Sequence, residues 1–405
     1  MQFNVLRDPW VPLDRDGAVD HASVAEILCG KKDAPDLIHP RDDVRFFSRM
    51  LLSALAQALF TPDKRNELRQ RLTKPMSRRE FDDRVAPVEQ DFELVGTAKR
   101  AGFMQDAVED QEDGTEYLLL DRVGHVLFRS LSDRDPARSI GLCTCCAVPL
   151  LYGVQAFAAS GGRGYSPSVR GRPATTTLIG EPSVRRSIWA NVLHAESLAL
   201  LPLARREPAR PWVQKKRELA ENDRLSIAEG LFWQPRALRL VSVESGVCAG
   251  CGREGERLGV RGFSAKSKAG AAFFPHPFSP TRVKVKKGKS LNLHLHLRPE
   301  RPTWTGLVDV LGAVSDGDGG RPAPVVEQWR DSLDAPECSL LVLDYSTDQA
   351  SFVGRISESF PLSREHVRSP TFLRELRDLV ADAEVGASAL RFALKVAHSS
   401  RSAKP

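Results

Sequence analysis

The chain has 405 residues, 41% hydrophobic and 27% charged, a balance that builds a large buried core and excludes a disordered protein. Lysine and arginine outnumber aspartate and glutamate by 58 to 52, a formal +6, so the placement of charge matters more than its sum. No apolar run approaches the roughly 20 residues that span a bilayer, and the opening MQFNVLRDPWVPL lacks the regions of a secretion signal, so a cytoplasmic protein is expected.

Taken in order, Phe3 to Leu13 alternates as a short strand that ends in Asp8-Pro9-Trp10-Val11-Pro12, where two prolines forbid a helix. Val24 to Leu28 suits a helical turn. His39-Pro40-Arg41-Asp42-Asp43 then precedes a strong helix, because aspartates complement the N-terminal dipole and Phe47, Leu51, Ala54, Leu55, Ala58 and Leu59 recur at three and four until Pro62. Asn66 to Leu72 and Ser77 to Val85 read as further helices, the second opening Ser77-Arg-Arg-Glu80 like a capping box. Ala107 to Glu116 holds five acidic residues and no base, which suits an exposed loop, and Asp121 to Ile140 around Phe128 is a candidate mobile loop.

Two C-x-x-C pairs follow, Cys143-Thr-Cys-Cys146 and Cys248-Ala-Gly-Cys251. This spacing turns two thiolates onto one ion, and two such knuckles complete the tetrahedral four-sulfur shell that zinc prefers. Gly250 and Gly252 bracket the last cysteine and allow a tight turn, while Cys145 is left as a spare thiol. Buried free thiols, a redox pair and disulfides are the competing readings. No βαβ pattern adjoins either pair, as a redox motif requires, and a reducing cytosol opposes disulfides. One structural zinc on Cys143, Cys146, Cys248 and Cys251 is the favoured reading.

Ala147 to Ala159 is expected to be helical. Ser160 to Pro173 then carries four glycines, three arginines and a tyrosine. Glycines bring backbone amides close to a ligand and arginines offer planar donors to phosphate, although an ordinary surface loop has the same composition. Thr175 to Ile179 reads as a strand and Arg185 to Leu201 as one helix with Ile188, Val192, Leu193 and Leu200 inward; GLFWQPRALRLVSV turns into a strand.

From Arg253 to Lys289 there are ten lysines or arginines against two glutamates, with Phe263, Phe273, Phe274 and Phe278 interleaved. Clustered charge of this kind neutralises phosphates and releases counterions. Val283 and Val285 alternate with Arg282, Lys284 and Lys286 as on a half-exposed strand ending at Gly288, and with the arginine-glycine loop the segment favours nucleic acid. His294 and His296 share a strand face, but no third ligand adjoins them. Leu307 to Ala313 and Pro324 to Trp329 read as helical or mixed. Ser339 to Asp344 and Ala350 to Ile356 form a strand pair around a Tyr345 to Gln349 tip, and Thr371 to Ser399 is one long helix. The expected class is α+β: a mixed α/β N-terminal domain with a four-cysteine zinc site, then a C-terminal helical element. There is no phosphate loop, no H-E-x-x-H, and no carboxylate spacing of a two-metal nuclease.

NVLRDPWVPL, the PRDD before a long helix, the knuckle at Cys143, VRGRPATTT, GLFWQP, CAGCGRE, FPHPFSPTRVKVKKG and DQASF occur in an order that resembles one family. The chain looks like the large subunit of the type I-E CRISPR surveillance complex, Cascade, over about Met1 to Ser399. That resemblance implies a non-catalytic subunit that reads the protospacer-adjacent motif on duplex DNA and helps the guide RNA start an R-loop. It implies a glycine loop at Gly161, Gly162, Arg163 and Gly164, with Arg163 where the family tends to have glycine. A minor-groove lysine falls on Lys266 or Lys268, a wedge on Gln349 flanked by Thr347 and Asp348, and a crRNA-end and motif-proximal contact on Phe128. The zinc ligands match the four knuckle cysteines.

Implied partners are the crRNA-bound backbone and small subunits and target double-stranded DNA. The domains are expected over 1–364 and 365–405, the second matching only the first helix of a four-helix bundle. The downstream partner, whether a helicase-nuclease, a fused nuclease or transposition proteins, stays open. A stand-alone zinc-containing nucleic-acid enzyme, such as a nuclease using dispersed acidic residues and His294 or His296, is the alternative.

Overall fold

In the computed structural model the described residues are 2–97, 100–106, 114–120, 140–160, 165–204, 212, 217–270, 272–286, 288–297, 303–312, 320–348 and 351–402. The first strand begins later than its alternation suggests. Asn4 makes only an isolated bridge to Glu93, while β1 (Val11–Arg15) pairs antiparallel with β2 (Ala18–Ala22). Asp16 and Gly17 join them, with φ of 56° and 80°, as a two-residue hairpin turn requires. Pro12 is tolerated because a two-stranded hairpin has edges on both sides.

Helix α1 (Val24–Leu28) starts with a complete Ser23–Glu26 capping box. Helix α2 (Asp42–Phe60) is buried on most of its circumference and runs through the main core. After α3 (Arg65–Thr73), α4 (Arg78–Val85) is capped by Ser77, whose Oγ accepts the Glu80 N–H at 3.2 Å. The Glu80 carboxylate goes to Arg71.

Helix α5 (Thr144–Ala156) starts at the first knuckle itself, with Cys143 as its N-cap, and packs on α2. Strand β3 (Thr176–Gly180) leads to α6 (Val184–Ala190) and α7 (Ala195–Ala199), two short helices where one was expected. Asn191 ends the first: its amide donates to the carbonyls of Ile179 and Ser187, and its oxygen accepts the Ile179 N–H. His194 caps the second. Val192 and Leu193 are buried as expected, but Leu200 is 86% exposed.

Helix α8 (Ile227–Leu231) precedes the long hairpin of β4 (Arg236–Val247) and β5 (Glu254–Ala265), whose connection is the second knuckle. A smaller sheet has β6 (Thr281–Lys286) between β7 (Lys289–His294) and, past α9 (Leu307–Val310), β8 (Gly320–Arg321). Helix α10 (Pro324–Ser332) leads to β9 (Glu337–Asp348) and β10 (Ser351–Ser363), which with β3 form a sheet ordered β10-β9-β3. Strand β9 runs to Asp348, so Tyr345 to Asp348 belong to the ladder and not to the expected tip.

The chain then passes through α11 (Arg364–Arg368) into α12 (Pro370–Ser402). Leu373 and Leu376 of α12 pack on the core and Val380 is buried, whereas Leu379, Val385, Leu390, Phe392 and Leu394 are 61–70% exposed. The helix therefore leaves the body after about its third turn. No described helix is long and apolar enough to cross a membrane.

Candidate metal centre and nucleic-acid interface

The four knuckle cysteines converge although more than a hundred residues separate the pairs. The sulfurs of Cys143, Cys146, Cys248 and Cys251 all lie within 4.8 Å of one another, and among the described residues this is the one group of three or more histidine, cysteine or acidic ligands so gathered. Two ladders hold the knuckles together: Leu142 exchanges both backbone hydrogen bonds with Leu258 of β5, at 2.9 and 2.8 Å, and the Ala249 N–H donates to Gly141 at 2.9 Å. The first knuckle is thus an added edge on the β4–β5 hairpin that carries the second. Cys145 contacts Cys143 but is not in the group.

The residues fit a tetrahedral metal site. All four donors are sulfur, and Cys248 Sγ accepts N–H groups from Cys143 at 3.2 Å and Gly250 at 3.3 Å, the support a metal-bound thiolate uses. A Cβ at position 250 would lie 2.7 Å from Cys146 Sγ, so glycine there lets the knuckles close. Packing four thiols together also forces unequal protonation. The Cys248 thiol is pulled well below its usual value by hydrogen bonds from Cys143, then Cys146 and Cys251, while the same network pushes Cys146 far up, Cys143 being its largest cause. A divalent cation removes that conflict by taking the place of the protons.

At the end of the β4–β5 ladder away from the second knuckle, β5 reaches a second assembly. Arg236, paired with Ala265 across the β4–β5 ladder, is 5% exposed and donates to Ala159 at 2.5 Å and Ser166 at 2.6 Å. One guanidinium therefore pins both ends of the arginine-glycine loop. The same guanidinium lies over Tyr165, which stacks along Phe263 and donates its hydroxyl to the Phe263 carbonyl; Tyr117 also stacks on Phe263, at 4.2 Å. Phe263 thus serves the loop base, while Phe274 and Phe278 are core residues. Gly161, Gly162, Arg163 and Gly164, like Phe128 and Gln349, lie outside the described residues.

The two candidate lysines lie just past Ala265 and differ sharply. Lys266 is 4% exposed; its ammonium donates to Gln234 at 3.0 Å and pairs with Asp106 at 3.2 Å, and burial lowers its pKa against the opposing pull of Asp106. The Lys268 side chain is 46% exposed and pairs with the exposed Glu218. Thr347, paired with Phe352, and Asp348, paired with Ser351, end the β9–β10 ladder on either side of the tip.

A family model for "CRISPR-associated protein Cse1" matches residues 4–405. This chain belongs to the Cse1 family. The fold agrees with solved members: the Cse1 structure from Acidimicrobium ferrooxidans is similar at a TM-score of 0.70 and 18% identity, covering 96% of this chain and 77% of that one. For Thermobifida fusca Cse1 the TM-score is 0.71 at 17% identity, with 95% and 78% covered. A chain of a "CRISPR RNA-guided surveillance complex" matches at 0.69 and 15% identity, covering 100% of this chain and 85% of that one. The resemblance seen in the motifs is therefore a family relationship, with the Cse1 large subunits of type I-E Cascade.

In this Cse1-family chain, sequence reasoning overlooked His39, whose Nε2 lies 3.2 Å from Cys146 Sγ. The residue was visible before the PRDD helix, but nothing in its spacing relates it to a cysteine 107 positions on. Arg236 was equally hidden, since an arginine inside GLFWQPRALRLVSV reads as one more strand charge. His294 and His296 gather no third ligand among the described residues, and burial pushes both far down, to about 3, so they are neutral packing groups.

Proposed function

We propose that this chain reads the protospacer-adjacent motif on duplex DNA as the large subunit of a type I-E RNA-guided complex and helps start R-loop formation, without turning over a substrate itself. The observation that carries this reading is the convergence at Arg236: one buried guanidinium ties the base of the glycine loop to the strand end that presents Lys268. Two segments seventy to a hundred residues apart in sequence thus share one rigid support, as a composite minor-groove reader needs. Minor-groove edges carry a degenerate pattern, so a lysine and backbone amides there accept several motifs and reject those whose guanine amino group collides. Arg163 extends the loop with a group suited to a narrow groove.

Of the two lysines, Lys268 is the groove lysine. A side chain that enters a groove must be free to leave its resting partner, and an exposed pair such as Lys268–Glu218 contributes only about 0–1 kcal/mol. Lys266 instead anchors the segment from inside. Gln349, between Thr347 and Asp348, is the wedge, and Phe128 contacts the crRNA end. The β6–β7 hairpin, with exposed Arg282 and Lys284, adds sequence-independent phosphate contacts. The metal is a single structural zinc that clamps these parts. Residues 1–364 form the reading domain and 365–405 a helical element, a division supported by the exposed apolar residues of α12 beyond Val380. Partners are the crRNA-bound backbone and small subunits in the cytoplasm.

The two lysines separate the reading from its rival. Lys268→Ala should weaken binding of the assembled complex to motif-bearing duplex by roughly tenfold, about 1.4 kcal/mol, with unchanged thermal stability. Lys266→Ala should lower stability by about 1–3 kcal/mol by removing the buried ammonium that holds Gln234 and Asp106 together. Loss of motif binding from Lys266→Ala at full stability, with Lys268→Ala silent, would reverse the assignment.

A further inference from the structure

The β9–β10 hairpin leaves its sheet at one place. Strand β3 pairs with β9 no further along than Thr176 opposite Leu343, so beyond that point β9 keeps only β10 as a ladder partner. At the exit the cross-strand partners Tyr345 and Arg355 both reach the first turn of α2. Arg355 pairs with Asp42 and, at 3.2 Å, with Asp43, and the Tyr345 hydroxyl donates to Asp43 Oδ2 at 3.4 Å. The Asp43 side chain is 0% exposed, so its charge is tolerated through these partners, the Val44 N–H at 2.8 Å and one more side chain.

That further partner is Arg41, which grips Asp43 with both prongs, Nε to Oδ1 at 3.0 Å and a terminal nitrogen to Oδ2 at 2.6 Å. Two residues earlier stands His39. Its Nδ1 lies 3.1 Å from the Arg41 N–H, and its Nε2 faces Cys146 Sγ. A thiolate bound to a metal can only accept, which puts the imidazole proton on Nε2 and leaves Nδ1 to accept the Arg41 amide. A continuous line of polar contacts thus runs from the cysteine centre through His39, Arg41 and Asp43 to the root of the hairpin.

We propose that His39, Arg41 and Asp43 are positioning residues that carry the state of the four-cysteine centre to the β9–β10 hairpin, so that a bound metal fixes the angle at which the hairpin stands. Asp348, where β9 ends, stands three positions beyond Tyr345, about 10 Å of extended chain, so a tilt of roughly 10° at the root moves the strand end by about 2 Å. A wedge that must enter one base step is sensitive to displacements of that size. The consequence for duplex opening rests on the function proposed above, while the link itself is a property of the chain.

The link is tested by amide hydrogen exchange across residues 343–355 of the full chain, zinc-loaded or chelator-treated, for the unaltered protein and for His39→Ala, His39→Gln and Arg355→Gln. Loaded His39→Ala should keep its metal yet exchange roughly tenfold faster in the hairpin, matching the chelated unaltered chain, and chelation should add little more, as coupled sites require. His39→Gln, whose amide N–H can reach the same sulfur, should restore protection. Arg355→Gln lies away from the cysteines and decides the matter if His39→Ala loses metal: it should loosen the hairpin at one zinc per chain. Unchanged hairpin exchange in loaded Arg355→Gln, or full additivity of chelation with either variant, overturns the link. A fluorescent base beside the motif separates the two layers, because a loosened hairpin with normal duplex opening in the assembled complex contradicts the wedge role and leaves the link standing.

Discussion

Position 250 shows how one atom decides whether the metal site can close. Gly250→Ala would set its Cβ against Cys146 Sγ, so one knuckle must retreat, and we expect zinc affinity to fall roughly tenfold or more in a chelator competition. Cys248→Ser should go further and lose the metal and motif recognition together; a folded, metal-free and fully active Cys248→Ser chain would remove any role for the clamp. A second residue-level expectation concerns Asp344. It is 2% exposed, accepts the Thr175 hydroxyl and the Leu297 N–H, and burial raises its pKa from 3.8 to about 7. A carboxyl raised in this way binds its proton more tightly folded than unfolded, so its contribution falls as pH rises from about 4 to about 7 and is flat above. Asp344→Asn, neutral at every pH, should therefore be more stable than the unaltered chain at pH 8 and lose that advantage towards pH 4 in thermal melts. An equal gap at both pH values would mean that Asp344 ionises normally.

At the scale of elements, the β9–β10 hairpin and the segment after β5 do the work assigned to them by different means. The hairpin is an arm held at its root, so Gln349→Ala should slow R-loop opening more than it weakens initial motif binding; equal losses in both would count against a wedge. The pattern of periodicities made such elements legible in advance: the apolar recurrence of α2, the alternation of β6 and the pair around Tyr345 each follow from local sequence. What stayed hidden was decided by distant partners. The break between α6 and α7 comes from Asn191 bonding to β3, the first strand shifted because Asp16-Gly17 makes a turn, and α5 starts early at the knuckle, where the Cys143 carbonyl accepts the Ala147 N–H. The same division holds for the site. The cysteine knuckles are visible as spacing, whereas His39, Asp43, Arg236 and Arg355 act through contacts that only the folded chain brings together.

Seen as a whole molecule, the chain spends its modest surplus of charge in a few places. The formal +6 is small, yet the stretch after the second knuckle gathers ten basic residues, among them Lys266 and Lys268 just past the Arg236–Ala265 end of the β4–β5 hairpin. The cysteine pairs join two distant parts of the chain at one four-sulfur cluster. The central claim is that motif reading in an RNA-guided complex resides in this chain. Its most direct test is the equilibrium binding of a reconstituted crRNA complex, with and without this subunit, to duplexes that share one protospacer and differ in the adjacent motif. The account predicts strong discrimination among motifs that vanishes when the subunit is omitted. Equal discrimination without it, or metal-dependent cleavage of the DNA by this chain alone, would contradict the account.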